Sequence, residues 1–414
     1  MKKTNNFFSF LLFISLICSL LPYIYNRTKY RVLVYIIACI VLIFTAFTFY
    51  LVRTIRVKTN SFFIRNPHIL IYFYLILISQ IFSLYTNKIE LTDFIWGIGY
   101  IIIGFIGFFI FPIAIMNKNL FNKLIYFLVT VAGISSIIAI YIALTGINNF
   151  FGLPINKFFL GPFKIYGSSS IYYESNRFAL IAFFGWTGSN YLFLKYKKKS
   201  MLILNFLCLL GIILSWSRAI YLATFIGFLI WIIIKAKSSI YGILYYFIMS
   251  LITIVLIIFI PWDIFYILLF SQGWAKREIL WPTAIKAIIK SPWWGYGFGK
   301  PEIVENVIYY YTGYKTSIHC GPLGLAFHAG IPVALLWLFI VLVSINRLFK
   351  SKLLLLEKAF LETCIAGTLI ATIFLDYNIG GLSYGSLLQT IFLGLSNLSN
   401  KLNYRTVNKF DLKN

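Results

Sequence analysis

Acidic side chains are scarce in this sequence: Asp and Glu number 11 in 414 residues, against 36 Lys and Arg, and the four charged types together make up 11% of the chain. A soluble globular domain carries about 25% charged residues, so a water-soluble enzyme and a disordered chain are both excluded. Cysteine is also rare. Cys18, Cys39, Cys208 and Cys364 lie inside apolar runs and only Cys320 falls in a loop, so no disulfide framework and no zinc cluster is expected. The segments read below as outer loops hold no carboxylates at Asp-x-Asp spacing, so a metal-bound nucleotide sugar has no expected site there. A glycine-rich phosphate loop ending in Lys-Ser/Thr is missing too, and with it an obvious site for ATP hydrolysis. Any group transfer must therefore draw on an already activated donor, without metal or cofactor.

What the chain does have is apolar length. Hydrophobic residues make up 61% of it, and Ile101–Ile115, Leu124–Leu144 and Ile243–Ile260 are near-continuous apolar runs. A helix needs roughly 20 such residues to cross about 30 Å of hydrocarbon. Period-two alternation, the mark of a barrel strand, is missing. The pattern predicts an all-α polytopic membrane protein, a single integral membrane domain over 1–414. About twelve spans are expected, near 7–24, 32–52, 68–85, 94–116, 124–144, 175–194, 201–216, 219–234, 240–260, 323–344, 359–375 and 380–397. The first does not read as a cleaved signal peptide, because the bulky Leu21-Pro22-Tyr23-Ile24-Tyr25 follows it.

A net charge of +25 raises nucleic acid as a partner, but the placement of the charges argues against it. Most flank the spans, and 22 of the 36 Lys and Arg fall on one set of alternate connections. The positive-inside bias then puts both termini in the cytoplasm, and membrane lipid is the partner that the basic balance implies.

Two outer connections are long: 145–174, and 261–322 between the ninth and tenth spans. Loops of more than about 12–15 residues are usually functional or disordered. The second holds five of the ten tryptophans, whereas disordered segments are poor in aromatics, so it should be partly helical and fold on the outer surface. Trp281-Pro282 and Ser291-Pro292 bracket a short helix at 282–290. Its Ile285, Ile288 and Ile289 form a stripe apart from Lys286 and Lys290, which suits a helix at the lipid–water interface or one packed on the spans. Gly295-Tyr296-Gly297-Phe298-Gly299 follows and has two readings, a tight turn without a ligand or backbone amides facing an anion.

Few residues can carry chemistry. Ser215-Trp216-Ser217-Arg218 interrupts an apolar run from Met201 to Ile234. Each flank is about 16 residues, or roughly 24 Å of helix, less than the hydrocarbon thickness. An arginine at that depth marks a site in an aqueous or protein-lined cavity, or it snorkels to the headgroups. Lys276-Arg277 precedes the short helix, and the guanidinium fork matches phosphate oxygens. Two such arginines from different loops would suit a diphosphate. Of the three histidines, His319 ends the long loop just before the tenth span. An imidazole titrates near neutrality and can take a proton from an attacking hydroxyl, although a histidine at a helix start is often structural. His328, nine positions on, reads as a core residue. Glu302 and Glu305 are the alternative bases.

Taken in order, these segments resemble the bacterial O-antigen ligase and O-antigen polymerase superfamily. Ser215-Trp216-Ser217-Arg218-Ala219 is similar to its Ser-x-Ser-Arg-Gly/Ala turn. Arg277 with Trp281, Ala284, Pro292, Gly295, Gly297 and Gly299 is similar to its Arg-x3-Trp…Pro-x2-Gly-x-Gly-x-Gly segment. His319, Leu323, Gly330, Ile331 and Pro332 are similar to its His-x10-Gly-Ile-Pro segment. Asn176 with Ala179 is a weaker fourth match. Where relatives often carry an arginine in the first long outer loop this chain has Lys157 and Lys164, and Cys320 follows the histidine in place of a polar residue.

The resemblance implies transfer of a glycan from an undecaprenyl-diphosphate carrier to an acceptor glycan or glycolipid, on the outer face of the bacterial cytoplasmic (inner) membrane. His319 would be the general base, and Arg218 and Arg277 would hold the diphosphate, with Lys276 and Lys164 as further cations. Other polysaccharide-assembly proteins would be neighbours. Two products are open, a lengthened repeat-unit polymer or a glycan ligated to lipid A–core, with the lean toward the polymerase. The rival from another class is a flippase or transporter, but transporters usually show two related halves, and none is visible here.

Overall fold

The computed structural model describes residues 2–25, 30–86, 91–115, 118–150, 153–154, 157–160, 165–172, 174–236, 277–298, 301–313, 317–375, 381 and 383–398. The expected span at 240–260, Lys164 and Lys276 lie outside them. Helices occupy the other eleven expected segments. They are α1 (Lys2–Tyr25), α2 (Arg31–Leu51), α3 (Arg53–Ile64), α4 (Pro67–Thr86), α5 (Leu91–Phe105) continuing through a π-helical turn at Ile106–Ile110 into α6 (Phe111–Ile115), and α7 (Lys118–Thr145). After two small hairpins, β1–β2 (Asn149–Phe150, Leu153–Pro154) and β3–β4 (Lys157–Leu160, Ile165–Ser168), come α8 (Ser175–Tyr196), α9 (Lys199–Ser215) and α10 (Arg218–Ala236). The last group is α11 (Arg277–Lys290), α12 (Pro301–Thr312), α13 (Gly321–Ala329), α14 (Ile331–Phe349), α15 (Leu355–Phe374) and α16 (Tyr384–Leu398).

Apolar segments become helices because hydrocarbon offers no partner for backbone N–H and C=O groups, and a helix satisfies them internally. Among the described residues six are long and apolar enough to cross a membrane: Phe7–Tyr25, Val32–Leu51, Pro67–Thr86, Phe94–Ile115, Asn119–Thr145 and Ile331–Phe349. Lys199–Ser215 and Arg218–Ile233 are apolar but shorter. Helix α2 shows the peripheral pattern, exposing Leu33, Ile36, Ile40, Phe44 and Phe47 while burying Ala38, Leu42, Ala46 and Phe49. By contrast α8 from Phe178 to Leu192, and α16 from Tyr384 to Asn397, are buried on every face.

These two interior helices tolerate Gly, Ser, Thr, Asn and Gln because their neighbours are protein. Small residues let backbones close up, as where Gly185 abuts Ala132 and Cys208. Some of their polar groups also find partners. Asn205 Nδ2 donates to Ser189 Oγ at 3.0 Å, and Gln389 Nε2 donates to Thr372 Oγ1 at 2.9 Å.

The close approaches fix helix directions. Phe178 meets Gly211 while Ser189 bonds Asn205, so α8 and α9 run antiparallel. Gly367 sits against Phe183, and Gly227 against both Trp186 and Thr363, so α15 opposes α8 and α10. The end of α7, the starts of α8 and α10, and the end of α15 therefore share one end of the bundle. Between the second and third expected spans a further helix, α3, forms, where Phe62 stacks on Phe108 at 6.1 Å and Phe63 packs on Phe105 at 5.8 Å.

Candidate active site

The polar interruption at 215–218 is a hairpin between α9 and α10. Trp216 caps α9 with a left-handed backbone, φ +58°, which costs a non-glycine residue roughly 1–2 kcal/mol. Side chains hold the turn closed. Ser215 Oγ donates to Ile212 O at 2.6 Å, Ser217 N donates to Ser215 Oγ at 3.3 Å, and Tyr221 Oη donates back to Ile213 O at 2.6 Å. Arg218 is the first residue of α10 and is half-buried. A Cβ on Gly167 would lie 2.2 Å from the Trp216 ring, so strand β4 is fastened against this turn. Ser217 Oγ and Trp216 Nε1, both buried, have no hydrogen-bond partner among the described residues.

Arg277 opens α11. The helix begins five residues earlier than the predicted 282–290, and Pro282 sits inside it on the exposed side. There the one carbonyl that proline leaves unpaired can face solvent, so the cost is small. Arg277 Nη2 donates to Phe374 O at 3.0 Å and the guanidinium lies 5.5 Å from the Phe374 ring centroid. The arginine thus caps the C-terminus of α15, where carbonyls are unsatisfied and the helix dipole is negative. Leu280, Ala284, Ala287 and Ile288 of α11 share a buried cluster with Ile308, Ile318, Cys320, Ala326 and Phe327. Ile288 was expected on one stripe with Ile285 and Ile289, facing either the lipid–water interface or the spans. The stripe divides: Ile288 turns inward, because it lies four residues after Ala284 and eight after Leu280, on their face of the helix, while Ile285 and Ile289 stay exposed with Lys286 and Lys290.

The expected span 323–344 is broken at Gly330, with φ +89°, into α13 and α14. The glycine turn at 295–298 causes the break. Tyr296 N donates to Phe327 O and Gly297 N to His328 O, and Ile331 N donates to Pro292 O, each at 2.8 Å. The two segments cross with no room for side chains: a Cβ on Gly330 would lie 2.1 Å from Trp293 O, and one on Gly295 would lie 2.5 Å from Phe327 O. The Tyr296 and Gly297 amides are spent on carbonyls, which favours the tight turn over the anion cradle; Gly299 lies outside the described residues. His328 is the core residue it was read to be, with Nδ1 donating to Gly297 O at 2.8 Å and its ring stacked on Phe298 at 4.9 Å. Helices α4 and α5 receive the turn, through Ser79 Oγ donating to Trp294 O at 2.5 Å, Phe82 stacked on Trp294, and Tyr100 stacked on Phe298.

His319 stands at the corner before α13, half-buried, with φ +51° and Ser317 Oγ 3.1 Å from Nδ1. Its neighbours Ile318 and Cys320 are buried in the cluster that also takes Leu280, one turn from Arg277. Helix α13 packs on α11 and α15, and α10, which begins with Arg218, packs along α15. His319, Arg277 and Arg218, far apart in sequence, are thus carried by elements that converge on α15. Glu305 is half-buried on α12, which packs on α11; Glu302 lies in the first turn of α12, and its side chain is outside the described residues.

The same end holds an arginine that the motifs passed over. Arg177 Nε donates to Glu174 Oε2 at 3.0 Å, and its guanidinium lies 4.4 Å from the Tyr23 ring centroid. The signal was an acid and a base three residues apart at the head of an otherwise uncharged span. Nearby, Tyr172 Oη and Ser135 Oγ are 2.8 Å apart, and burial pushes the Tyr172 phenol up to about 12 against the pull of that hydroxyl.

Apolar helices of this length and number define a multi-pass membrane protein. Residues 203–338, about a third of the chain, match the O-antigen ligase family, and all three principal motifs of the resemblance fall inside that segment. The chain is thus similar to the O-antigen ligase and polymerase superfamily over that region. No curated protein matches it.

Proposed function

We propose that the chain is a metal-independent membrane glycosyltransferase of surface-polysaccharide assembly, O-antigen or capsule, in the bacterial cytoplasmic membrane. In this reading it crosses twelve times with both termini in the cytoplasm, and the long connections at 145–174 and 261–322 face outward. The donor is a glycan on undecaprenyl diphosphate. As the acceptor hydroxyl attacks the anomeric carbon, His319 takes its proton, the bond to the carrier breaks, and undecaprenyl diphosphate leaves with the electron pair. General-base assistance of this kind is typically worth about 10²–10⁴ in rate. Arg218 and Arg277 hold the diphosphate and offset the charge that develops on it, the logic of an oxyanion hole. Lys276 and Lys164 are secondary cations, and Glu302 and Glu305 the reserve bases.

The observation that carries this reading is backbone strain beside the predicted chemistry. His319 itself and Trp216, two residues before Arg218, are held in the left-handed region. Such outliers persist where the surroundings over-determine them, and they cluster at functional sites. The buried Ser217 hydroxyl and Trp216 N–H next to Arg218 lack hydrogen-bond partners among the described residues, a second departure from an ordinary interior at this turn. Purified protein in detergent should consume lipid-linked donor without any vesicle, and a flippase should not. Between the two products we favour the repeat-unit polymerase. A deletion strain should then show chains of a single repeat; full-length chains left on the carrier would make the protein a ligase.

A further inference from the structure

Helix α8 is buried along its length except at one place on this end of the bundle. Glu174, Ser175, Asn176 and Arg177, its cap and first turn, are half-exposed, and everything from Phe178 to Leu192 is covered. At this end of the helix its polar first turn is the part left open to the surroundings. There the Arg177 and Glu174 side chains keep 20% and 36% of their surface open. Beneath the guanidinium lies Tyr23, itself fully buried, whose hydroxyl accepts from Gly385 N at 2.9 Å. Ends of α1, α8 and α16 therefore build the spot together.

The spot is joined to the Arg218 turn by one short strap. Gly167 lies against Trp216, Ser168 to Ser170 follow fully buried, Ser170 Oγ donates to Ser135 O at 2.8 Å, and Tyr172 stacks on Phe178. Ser170 takes a left-handed backbone, φ +54°, and Ser169 Oγ is buried with no partner among the described residues.

Helix stability does not account for this arginine, because a cation in the first turn opposes the helix dipole. The chemistry of the pair does suggest an occupant. A guanidinium beside a carboxylate offers donors and acceptors side by side with no net charge, which suits vicinal hydroxyls, each both donor and acceptor, and does not suit a diphosphate. We infer that Glu174 and Arg177, over Tyr23, form a sugar-binding subsite that holds a hydroxyl-bearing ring of the glycan, distinct from the cations assigned to the diphosphate. The inference rests on the glycan-transfer reading above and adds to it the residues that grip the saccharide.

The test uses the full-length protein in detergent with two probes, undecaprenyl diphosphate alone and the same carrier bearing one repeat unit. Binding of each is read by tryptophan fluorescence, without turnover, for wild type, R177A and E174Q. Wild type should bind the sugar-bearing carrier more tightly than the bare one, and each substitution should weaken only the sugar-bearing probe, by about ten- to a hundredfold. In the transfer assay the same variants should raise KM with kcat within about threefold. Equal wild-type affinity for both probes overturns the subsite, as does equal weakening of both probes in R177A, which would make the arginine a diphosphate ligand. A lowered melting temperature with unchanged binding would make the pair a strut between helices and also overturn it. Sugar-dependent binding that R177A erases, without any transfer by wild type, would keep the subsite and remove the glycosyltransferase reading.

Discussion

Two half-buried arginines mark opposite ends of the bundle, and their surroundings differ in kind. Arg347, near the end of α14, donates through Nη1 to Asn66 Oδ1 and to Asn397 Oδ1. Both amides are used at their other atom as well: Asn66 Nδ2 donates to Phe62 O at 2.7 Å, and Asn397 Nδ2 donates to Ser344 Oγ and Leu393 O. The network closes on itself and ties the α3–α4 junction, α14 and α16 together. At the other end Arg277 rests on a helix terminus, within a region where Ser170, Trp216 and His319 all sit in the left-handed region and Ser217 has no partner for its hydroxyl among the described residues. Depth of an arginine in an apolar chain is therefore no mark of a site by itself. Left-handed backbone occurs at both ends, at Lys197 after α8 as well as at Trp216 and His319, so what separates the two arginines is their immediate setting: a closed amide network around Arg347 and a helix terminus under Arg277.

That contrast can be broken in several ways. The largest effect expected is from His319→Ala, which should lower transfer about 10²–10⁴-fold at unchanged membrane level. His319→Asn, which tolerates the left-handed backbone, should be as inactive, and an active His319→Asn would remove the imidazole from the mechanism. Arg218→Lys should follow with a loss of about ten- to a hundredfold, since an ammonium lacks the bidentate fork. Arg347→Met should invert the pattern: rate per folded molecule near wild type, and stability lower by about 1–3 kcal/mol because two buried amide oxygens lose their donor, read as a drop in melting temperature in detergent. A fall in rate without a fall in stability at Arg347 would erase the distinction between the ends.

Two glycines sharpen the comparison further. Gly330→Ala should destabilise by more than about 2 kcal/mol, since the added carbon meets Trp293 O in a left-handed backbone. Gly313→Ala should cost only about 1 kcal/mol, because its φ is +72° but nothing lies within 4 Å.

Much of the architecture was legible in one dimension, and particular residues show where legibility stopped. The helices at 32–52 and 124–144 follow from run length, because any such run must satisfy its own backbone. The left-handed corner at Trp216 was foreshadowed by Ser215, Ser217 and Arg218, three polar residues close together in an apolar stretch. The break at Gly330 was not. Apart from His328 and Ser344, residues 323–344 carry no polar side chain, and what ends the helix is a set of backbone hydrogen bonds, Ile331 N to Pro292 O and the Tyr296 and Gly297 amides to Phe327 O and His328 O, which leave no hydropathy signal. The stripe of Ile285, Ile288 and Ile289 divided for a similar reason: adjacent residues on a helix look alike in composition, and only the partner surface selects which one turns inward. Arg177 escaped notice because it was weighed as one basic residue among many. Its meaning comes from Tyr23, which lies 154 positions earlier.

The amino-acid order alone determined that this chain is helical, apolar and built for a membrane, because those properties arise from local runs and from the cost of an unsatisfied backbone in hydrocarbon. It also named His319, Arg218 and Arg277 as the few groups able to move a proton or hold a phosphate. Only the tertiary structure decided that the elements next to all three pack on or cap α15, that the glycine turn is a backbone crossing, and that Arg177 sits at the end where α10 begins. Those outcomes depend on contacts between residues far apart along the chain, and no local pattern encodes which distant surface a side chain will meet.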